Sequence, residues 1–228
     1  MKVAISQPRY LPALNYIQRI AIVDIFVLLD DVQHSREFEN RNRIKTPNGP
    51  IWLTIPCKGK RHRKNINELR ISGWGWIDKH KRTIYLNYKK AKFFSEDFLE
   101  YLYDINKTSD SLTDILEEHL KKICEYFNIK TKIIRSSELE VKEKGEKKLY
   151  LICKRLGATT YISGPMGRNY IKDKWENIEV LYHDFEYPQH RQLWGDFIPW
   201  MAFIDPLFNE GKNFVKEIIH ATPKLSPK

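Results

Sequence analysis

Three groups of polar residues directly follow segments whose hydrophobic pattern predicts buried strands. In chain order, the groups are Ser6, Gln7, Arg9 and Tyr10; Asp30, Asp31, Gln33 and His34; and Ser163, Gly164, Gly167 and Arg168. In an open parallel sheet, ligands bind beyond the carboxyl ends of the strands, at the point where the strand order reverses. We therefore expect these groups to contribute to one binding site.

The first group lies in the stretch SQPRYLP at residues 6–12. Gln7 offers a donor and an acceptor, and the neighbouring prolines stiffen the loop. A predicted helix follows, and a helix N-terminus attracts anions. The alternative interpretation is an ordinary strand-to-helix turn, and we favour the binding site.

Asp30 and Asp31 are adjacent carboxylates at the end of the second predicted strand. Such a pair suits magnesium held together with nucleotide phosphates, or one of the two acts as a general base. The same residues serve equally well as turn or helix-cap carboxylates. The cofactor is therefore unknown, with magnesium bound alongside a nucleotide as the candidate.

The stretch SGPMGR at residues 163–168 has glycines that permit close backbone approach and an arginine suited to a phosphate. It matches neither the P-loop nor the dinucleotide-binding fingerprint. His183 and Asp184 are neighbours on a predicted strand, where alternation sends them to opposite faces, so they do not form a dyad.

Covalent and zinc chemistry are disfavoured by the motifs that are missing. The sequence contains no Gly-x-Ser-x-Gly elbow and no HExxH helix. Its cysteines, Cys57, Cys124 and Cys153, are widely spaced and lack nearby ligands at zinc-binding intervals. We expect no disulfide framework and no metal site built from protein ligands alone.

The net charge of +10 favours an anionic partner. Much of it lies between Arg36 and Lys92, with a dense basic run at residues 58–64 that either binds a ligand or is a solvated loop. Trp52, Trp74 and Trp76 flank this run, and aromatic side chains among basic ones also suit single-stranded nucleic acid. A nucleic-acid-binding protein is thus the alternative to an enzyme for small molecules.

The hydrophobic pattern predicts the elements that position these residues. A strand at 3–6, a helix at 13–23 and a strand at 25–29 form a unit whose strands pair in parallel near the sheet centre. Asn48 and Gly49 predict a turn before a strand at 51–55. Later elements are predicted in this order: helices at 77–92, 97–105 and 112–127, a strand at 132–135, a helix at 147–156, a strand at 160–163, a short helix at 170–175, a strand at 179–182, helices at 197–208 and 214–219, and a frayed tail from Thr222.

These elements predict an α/β fold with a mainly parallel, layered sheet flanked by helices and an inserted, mostly helical lobe at about 77–127. With 228 residues and 42% apolar content, the chain is expected to form one domain over 1–228. No apolar run reaches the length of a membrane span, and no secretory leader is evident. We expect a cytoplasmic protein.

Five stretches in order along the chain resemble the WbqC-like family. They are SQPRYLP at 6–12, FVLLDDVQHS at 26–35, ENRNRIKTPNG with WLTIP at 39–56, YISGP at 161–165, and FEYPQHRQ through FIDPLFNEG at 185–211. The family is associated with surface polysaccharide gene clusters, notably those for O-antigen. The resemblance therefore implies a role in this pathway more firmly than it implies a particular reaction. For the reaction, acyl or aminoacyl transfer to amino sugars has been suggested.

The resemblance also implies a set of site residues. Carried over by position, they are Gln7, Pro8, Tyr10, Asp30, Asp31, Gln33, Asn40, Arg41, Asn42, Ser163, Gly164, Gln192, Asp205 and Asn209. Ser6 stands where members of the family often carry histidine, so a histidine before Gln7 has no role here. Asp205 and Asn209 are four apart and share one face of a predicted helix.

The leading hypothesis is a transferase that forms an amide at the nitrogen of a nucleotide-linked amino sugar. Arg41, Arg43 and the basic run would hold the diphosphate, and Asp30 or Asp31 would accept the proton from the amine. Gln7, Asn40 and Asn42 would orient the sugar. The first strand-helix-strand unit also suggests, by fold analogy, another nucleotide-dependent enzyme, such as a nucleotidylyltransferase-like amide ligase.

Overall fold

The computed structural model describes residues 1–35, 37–59 and 63–228. This part of the chain contains eight strands and seven α-helices. In chain order they are β1 Lys2–Ser6, α1 Leu14–Ala21, β2 Ile25–Leu28, β3 Arg41–Thr46, β4 Gly49–Thr54, α2 Trp76–Tyr88, α3 Glu96–Tyr103, α4 Leu112–Phe127, β5 Lys132–Arg135, α5 Gly145–Leu156, β6 Thr160–Ser163, β7 Glu179–His183, α6 Ile204–Glu210, α7 Lys212–His220 and β8 Leu225–Pro227.

Six of these strands form the main sheet, in the order β5-β2-β1-β6-β7-β8. All neighbours are parallel except β7 and β8, which pair antiparallel. The chain runs outward from β1 through β2 to β5, and then returns to β6 on the other side of β1. The strand order therefore reverses between β1 and β6, and the predicted α/β fold with a mainly parallel sheet is confirmed.

Side chains on the two faces of the main sheet pack into two separate hydrophobic cores. Ala4 and Phe26 face a large core shared with α1, the helical lobe and the C-terminal helices. Val3 and Val27 face a smaller core shared with α5. Both faces of the central strands are buried, which explains their continuous apolar sequence.

The lobe predicted from residue 77 consists of helices α2, α3 and α4. Two of its helices begin at serine caps, since Ser95 Oγ accepts from the backbone N–H of Phe98 and Ser111 Oγ accepts from that of Asp114. An N-cap of this kind satisfies a backbone donor that has no partner inside the helix. Helix α4 has the predicted bounds, from Leu112 to Phe127.

Strands β3 and β4 form a separate antiparallel hairpin, of which only the second strand was predicted. The turn lies at Pro47 and Asn48, and Gly49 follows with a φ of 93°, a left-handed conformation that favours glycine. Strand β3 carries a polar sequence, RNRIKT, although four of its residues are buried. Its burial comes from tertiary packing, which the hydrophobic pattern of the segment does not record.

Three predictions near the C-terminus are wrong. Residues 170–175 form no helix, and a short 3₁₀ helix at Pro165–Asn169 precedes them. Residues 197–203 lie outside any helix, because Pro199 interrupts the segment and α6 begins at Ile204. The tail does not fray, since Leu225–Pro227 adds a strand to the edge of the sheet.

Within the described ranges, no helix has the length and apolar content needed to cross a membrane. The same residues contain no cluster of three His, Cys, Asp or Glu side chains able to hold a metal ion.

Cys124 and Cys153 are buried, and burial raises the pKa of the Cys124 thiol to about 12. A thiol with a raised pKa is a poor nucleophile, so these cysteines act as core residues.

Candidate functional site

A cleft of about 580 Å³ lies at the reversal of strand order between β1 and β6. The loops after these two strands form its sides, and helices α1 and α5 complete it. The residues that line it are Ile5, Ser6, Gln7, Arg9, Asn15, Tyr16, Arg19, Leu29, Val32, Glu37, Gly145, Lys148, Leu149, Gly164, Pro165, Met166, Gly167 and Tyr170. The cleft lies where this sheet topology predicts a ligand.

Arg19 is the most deeply buried charged residue of this cleft on the α1 side. It is 8% exposed, and its Nε atom is buried without a hydrogen-bond partner. Burial lowers the pKa of Arg19, and the nearby charge of Arg9 lowers it further. A desolvated guanidinium beside a second cation is unfavourable until an anion compensates it.

Arg9 provides the second positive charge of the cleft. Its guanidinium carbon lies 5.4 Å from the centroid of the Tyr16 ring and 5.3 Å from that of Phe38. Across the described part of the chain, no carboxylate lies within ion-pair distance of Arg9 or Arg19. Arg9 is therefore flanked by aromatic rings and has no ion-pair partner among the described residues.

Asn15 and Arg19 are four residues apart on α1, so they share the face that borders the cleft. The Oδ1 atom of Asn15 is buried without a partner. Tyr16 lies between them and donates a hydrogen bond of 2.9 Å from its hydroxyl to the carbonyl of Gln7. Helix α1 thus presents unpaired polar atoms next to the loop that follows β1.

Glycines after β6 allow this loop to approach α1 and its own strand. A Cβ at position 164 would lie 2.2 Å from Nη1 of Arg19. A Cβ at position 167 would lie 2.0 Å from Oγ of Ser163 and 3.1 Å from the Tyr182 ring. Gly164 therefore makes room for the cleft arginine, whereas Gly167 makes room for the strand.

The two aspartates after β2 have different environments. Asp31 forms an ion pair of 2.6 Å with Lys148, a residue that lines the cleft. Asp30 is 1% exposed and accepts hydrogen bonds from the backbone and hydroxyl of Ser137 at 3.0 and 2.8 Å and from the hydroxyl of Ser136. Asp31 thus contacts a residue that lines the cleft, whereas Asp30 is buried and hydrogen-bonded to Ser136 and Ser137.

Gln7 and Gly164 are the members of the predicted substrate-binding set that line the cleft. Gln7 also donates from Nε2 to the carbonyl of Gln33 at 3.4 Å. Ser163 is fully buried beneath Gly164 and donates to its carbonyl at 3.1 Å. The contact between Gln7 and Gln33 joins the loops after β1 and β2, whereas the contact between Ser163 and Gly164 stays within the loop after β6.

Tyr10 lies in the large core. Its hydroxyl is 2.8 Å from Nδ1 of His80 and 2.5 Å from the hydroxyl of Tyr103, and burial raises its pKa well above the usual value. Asn40 and Asn42 are buried as well, and they donate to the carbonyls of Ile55 and Leu11. The structure places these three side chains in hydrogen bonds between segments of the fold.

A second buried polar cluster contains the three C-terminal members of the predicted set. Asp205 is fully buried and accepts from Tyr88 at 2.7 Å, His190 at 2.8 Å and Gln192 at 2.7 Å. Asn209 donates to the carbonyl of Asp205 from one turn further along α6. None of these residues lines the cleft at β1 and β6.

Arg41 and Arg43 lie on the hairpin. The guanidinium carbon of Arg41 is 4.3 Å from the centroid of the Trp52 ring, and that of Arg43 is 5.7 Å away. Of the basic run, Lys60, Arg61 and His62 lie outside the described residues. Lys58 forms an ion pair of 2.7 Å with Asp110.

Arg19, Asn15 and Lys148 were not predicted as site residues. Arg19 lies on the side of α1 that carries Asn15, away from the apolar face formed by Leu14, Ile17 and Ile20, so the helical pattern predicts a surface residue there. Lys148 carried no signal either, since a lysine in an amphipathic helix is usually a surface residue. Only the return of the chain to β6 brings α5 to the cleft.

The fold and this cleft define a doubly wound α/β protein with a cleft at the topological switch point. A family model described as "WbqC-like protein family" matches residues 7–217, and the chain belongs to this family. It is 37% identical over 219 residues to the uncharacterized protein Rv1507c of Mycobacterium tuberculosis, covering 92% of this chain and 94% of that protein. No solved structure matches the chain.

Proposed function

We propose that the protein is an enzyme that binds a nucleotide-linked amino sugar in the switch-point cleft and acylates or aminoacylates its amine. One observation carries the proposal. Arg9 and Arg19 both line the cleft, and neither has a carboxylate partner within the part of the chain that the structure describes. A diphosphate supplies the negative charge that two such guanidinium groups require.

The parallel strands support a nucleotide as the carrier of this diphosphate. Numbered by their appearance in the chain, they are arranged 3-2-1-4-5, the order of sheets that bind dinucleotides at the switch point. The loop after β1 and the N-terminal half of α1 border the cleft. Backbone N–H groups at a helix N-terminus add to the attraction for phosphate.

In the proposed reaction, the sugar amine attacks the carbonyl carbon of a thioester donor. A C–N bond forms, the C–S bond breaks, and the amine proton passes through a carboxylate to the departing thiolate. We assign the carboxylate to Asp31, which lies next to cleft residue Lys148, in preference to Asp30. The family resemblance supports a proposed role in polysaccharide biosynthesis.

A thermal-shift panel tests this proposal, using UDP, dTDP, GDP, coenzyme A, ATP and short single-stranded RNA at two salt concentrations. A ligand at a hundred times its dissociation constant adds about 2.7 kcal/mol of stability, which moves the midpoint by several degrees. We expect a selective shift with one nucleoside diphosphate. Arg9→Met and Arg19→Met should abolish it, whereas Arg191→Met, at an exposed arginine outside the cleft, should not.

A different response would point to another function. Stabilisation by ATP, with mass-spectrometric detection of AMP or ADP when a carboxylic acid is added, would favour the nucleotide-dependent amide ligase that the strand order also permits. Stabilisation by RNA alone, lost at high salt, would favour a nucleic-acid-binding protein. A chain stabilised by none of the nucleotides would contradict the proposed function.

A further inference from the structure

A continuous series of rings and guanidinium groups leads out of the cleft along one side. Phe38 lies 5.3 Å from Arg9, which lines the cleft. The rings of Phe38 and Trp52 are 5.7 Å apart at an interplanar angle of 49°. Arg41 then lies 4.3 Å from the Trp52 centroid.

Trp52 is unusually exposed for a large aromatic side chain, at 43%. The opposite face of its strand packs into the core through Leu53, so Trp52 is not needed to close the hairpin. The pairing of β3 with β4 sets Arg43 directly opposite Trp52. The hairpin thus presents a wide, flat ring with positive charge beside it.

Nucleobases stack on such rings because every base has a flat aromatic face, and neighbouring arginines contribute cation–π attraction. Resting on the proposed function, we propose that the nucleobase of the substrate stacks on Trp52 while its diphosphate lies between Arg9 and Arg19. Phe38 then lines the path between the two subsites. The sugar, attached at the other end of the diphosphate, extends toward Lys148 and Asp31.

Isothermal titration calorimetry with three probes tests the nucleobase subsite. The probes are the nucleoside diphosphate that gives the largest thermal shift, inorganic pyrophosphate, and a hexosamine 1-phosphate. We expect Trp52→Ala to weaken nucleoside diphosphate binding by about tenfold, in line with the loss of one base stack. The affinities for pyrophosphate and hexosamine 1-phosphate should stay within twofold of the original.

Two further variants serve as controls. Trp52→Phe keeps a ring for stacking and should retain most of the affinity. Tyr85→Ala removes an exposed aromatic side chain of α2, which is 37% exposed and does not line the cleft, and should have no effect. Circular dichroism and urea unfolding establish that each variant is folded.

The outcomes separate the two proposals. Unchanged nucleoside diphosphate affinity in folded Trp52→Ala, with pyrophosphate still bound, would overturn the nucleobase subsite and leave the arginine cleft in place. A loss of affinity for hexosamine 1-phosphate alone would assign Trp52 to the sugar and also overturn it. Failure of the unaltered chain to bind either pyrophosphate or the nucleoside diphosphate would overturn the proposed function itself.

Discussion

At the residue scale, the cleft depends on the close approach of Gly164 to Arg19. A methyl group at position 164 would displace the end of the arginine side chain, because the built Cβ lies 2.2 Å from Nη1. We expect Gly164→Ala to lower the affinity for the nucleoside diphosphate by roughly tenfold, the effect of losing one charge-assisted contact. Calorimetric titration measures the change.

Gly167→Ala is the matched variant. Its methyl group would meet Ser163 and Tyr182, which lie on neighbouring strands of the sheet. We expect destabilisation by about 1–3 kcal/mol through overpacking, measured by urea unfolding. Equal losses of stability in the two alanine variants would contradict the distinct roles given to these glycines.

Substitutions of the adjacent aspartates should have different effects, one on turnover and the other on stability. Asp31→Asn should reduce turnover and keep nucleotide binding within a few fold, because it removes the proposed proton acceptor. Asp30→Asn should lower the free energy of unfolding by about 1–3 kcal/mol, because it disturbs a buried carboxylate that accepts three hydrogen bonds. Full turnover by a folded Asp31→Asn enzyme would exclude the base assignment.

At the element scale, a buried lysine holds the loop that precedes α6. Lys45 of β3 is 1% exposed, and its Nζ donates to the side chain of Gln192 and to the carbonyls of Gly195 and Asp196. We expect Lys45→Met to lower the free energy of unfolding by about 2–3 kcal/mol, since hydrogen bonds to a charged group are lost. The loop should also become more accessible.

Limited trypsin digestion can detect that change at Arg191, which lies within the loop and has an exposed side chain. Faster cleavage at this position in Lys45→Met, with unchanged cleavage elsewhere, is the expected result. Lys121→Met provides the control, because that lysine is exposed and pairs only across one helix turn with Glu117. Identical digestion patterns for all three chains would exclude a role of Lys45 in holding the loop.

The elements with periodic sequence could be predicted, and those defined by distant contacts could not. Helix α4 has a serine cap and an apolar face, so its bounds follow from local sequence. Strand β3 is polar and Leu225–Pro227 contains two residues of low hydrophobicity, yet both segments pair in sheets. Their partners lie elsewhere in the chain, and local patterns carry no record of them.

At the scale of the whole molecule, the helical lobe shares its core with the sheet. Phe26 of β2, Ile84 of α2 and Leu116 of α4 belong to one continuous apolar cluster. We expect one cooperative unfolding transition in calorimetry, as predicted for a single domain over 1–228. A separate early transition would show that the lobe from residue 77 to 127 unfolds as an independent unit.

Three buried histidines make the stability of this core depend on pH. Burial lowers the pKa of His80, His119 and His183 to about 4. In the unfolded chain these histidines bind protons near pH 6.5, whereas in the native chain they stay neutral down to about pH 4. The free energy of unfolding therefore decreases as the pH falls from 6.5 toward 4. At pH 5, His119 alone should account for about 2 kcal/mol of this loss.

Urea unfolding at pH 7.5 and pH 5.0 checks the expectation. His119→Gln cannot titrate in this range, so its stability should fall less between the two pH values than that of the unaltered chain. For each chain, the free energy of unfolding at pH 5.0 is subtracted from that at pH 7.5. This subtraction removes the direct effect of the substitution on stability at pH 7.5. An equal fall in both chains would exclude His119 as a source of the pH dependence.

As with the fold, some residues of the candidate site could be predicted from local sequence, and others depend on contacts between distant segments. Gln7 and Gly164 lie in loops after predicted strands, and the rule for parallel sheets identifies them. Arg19 and Lys148 lie inside helices and reach the cleft only because α1 and α5 converge there. Their identification depends on the strand order, which the sequence of either helix does not encode.

The contact between Arg19 and Gly164 also constrains how this protein can diverge. A side chain at position 164 would displace the guanidinium group of Arg19, so position 164 can gain one without disturbing the cleft only after position 19 has lost its long, charged side chain. Arginine at one position therefore implies glycine at the other, although the two are far apart in sequence. Among relatives we expect these positions to covary, and chains that lose the pair together should have exchanged the anionic ligand for a neutral one.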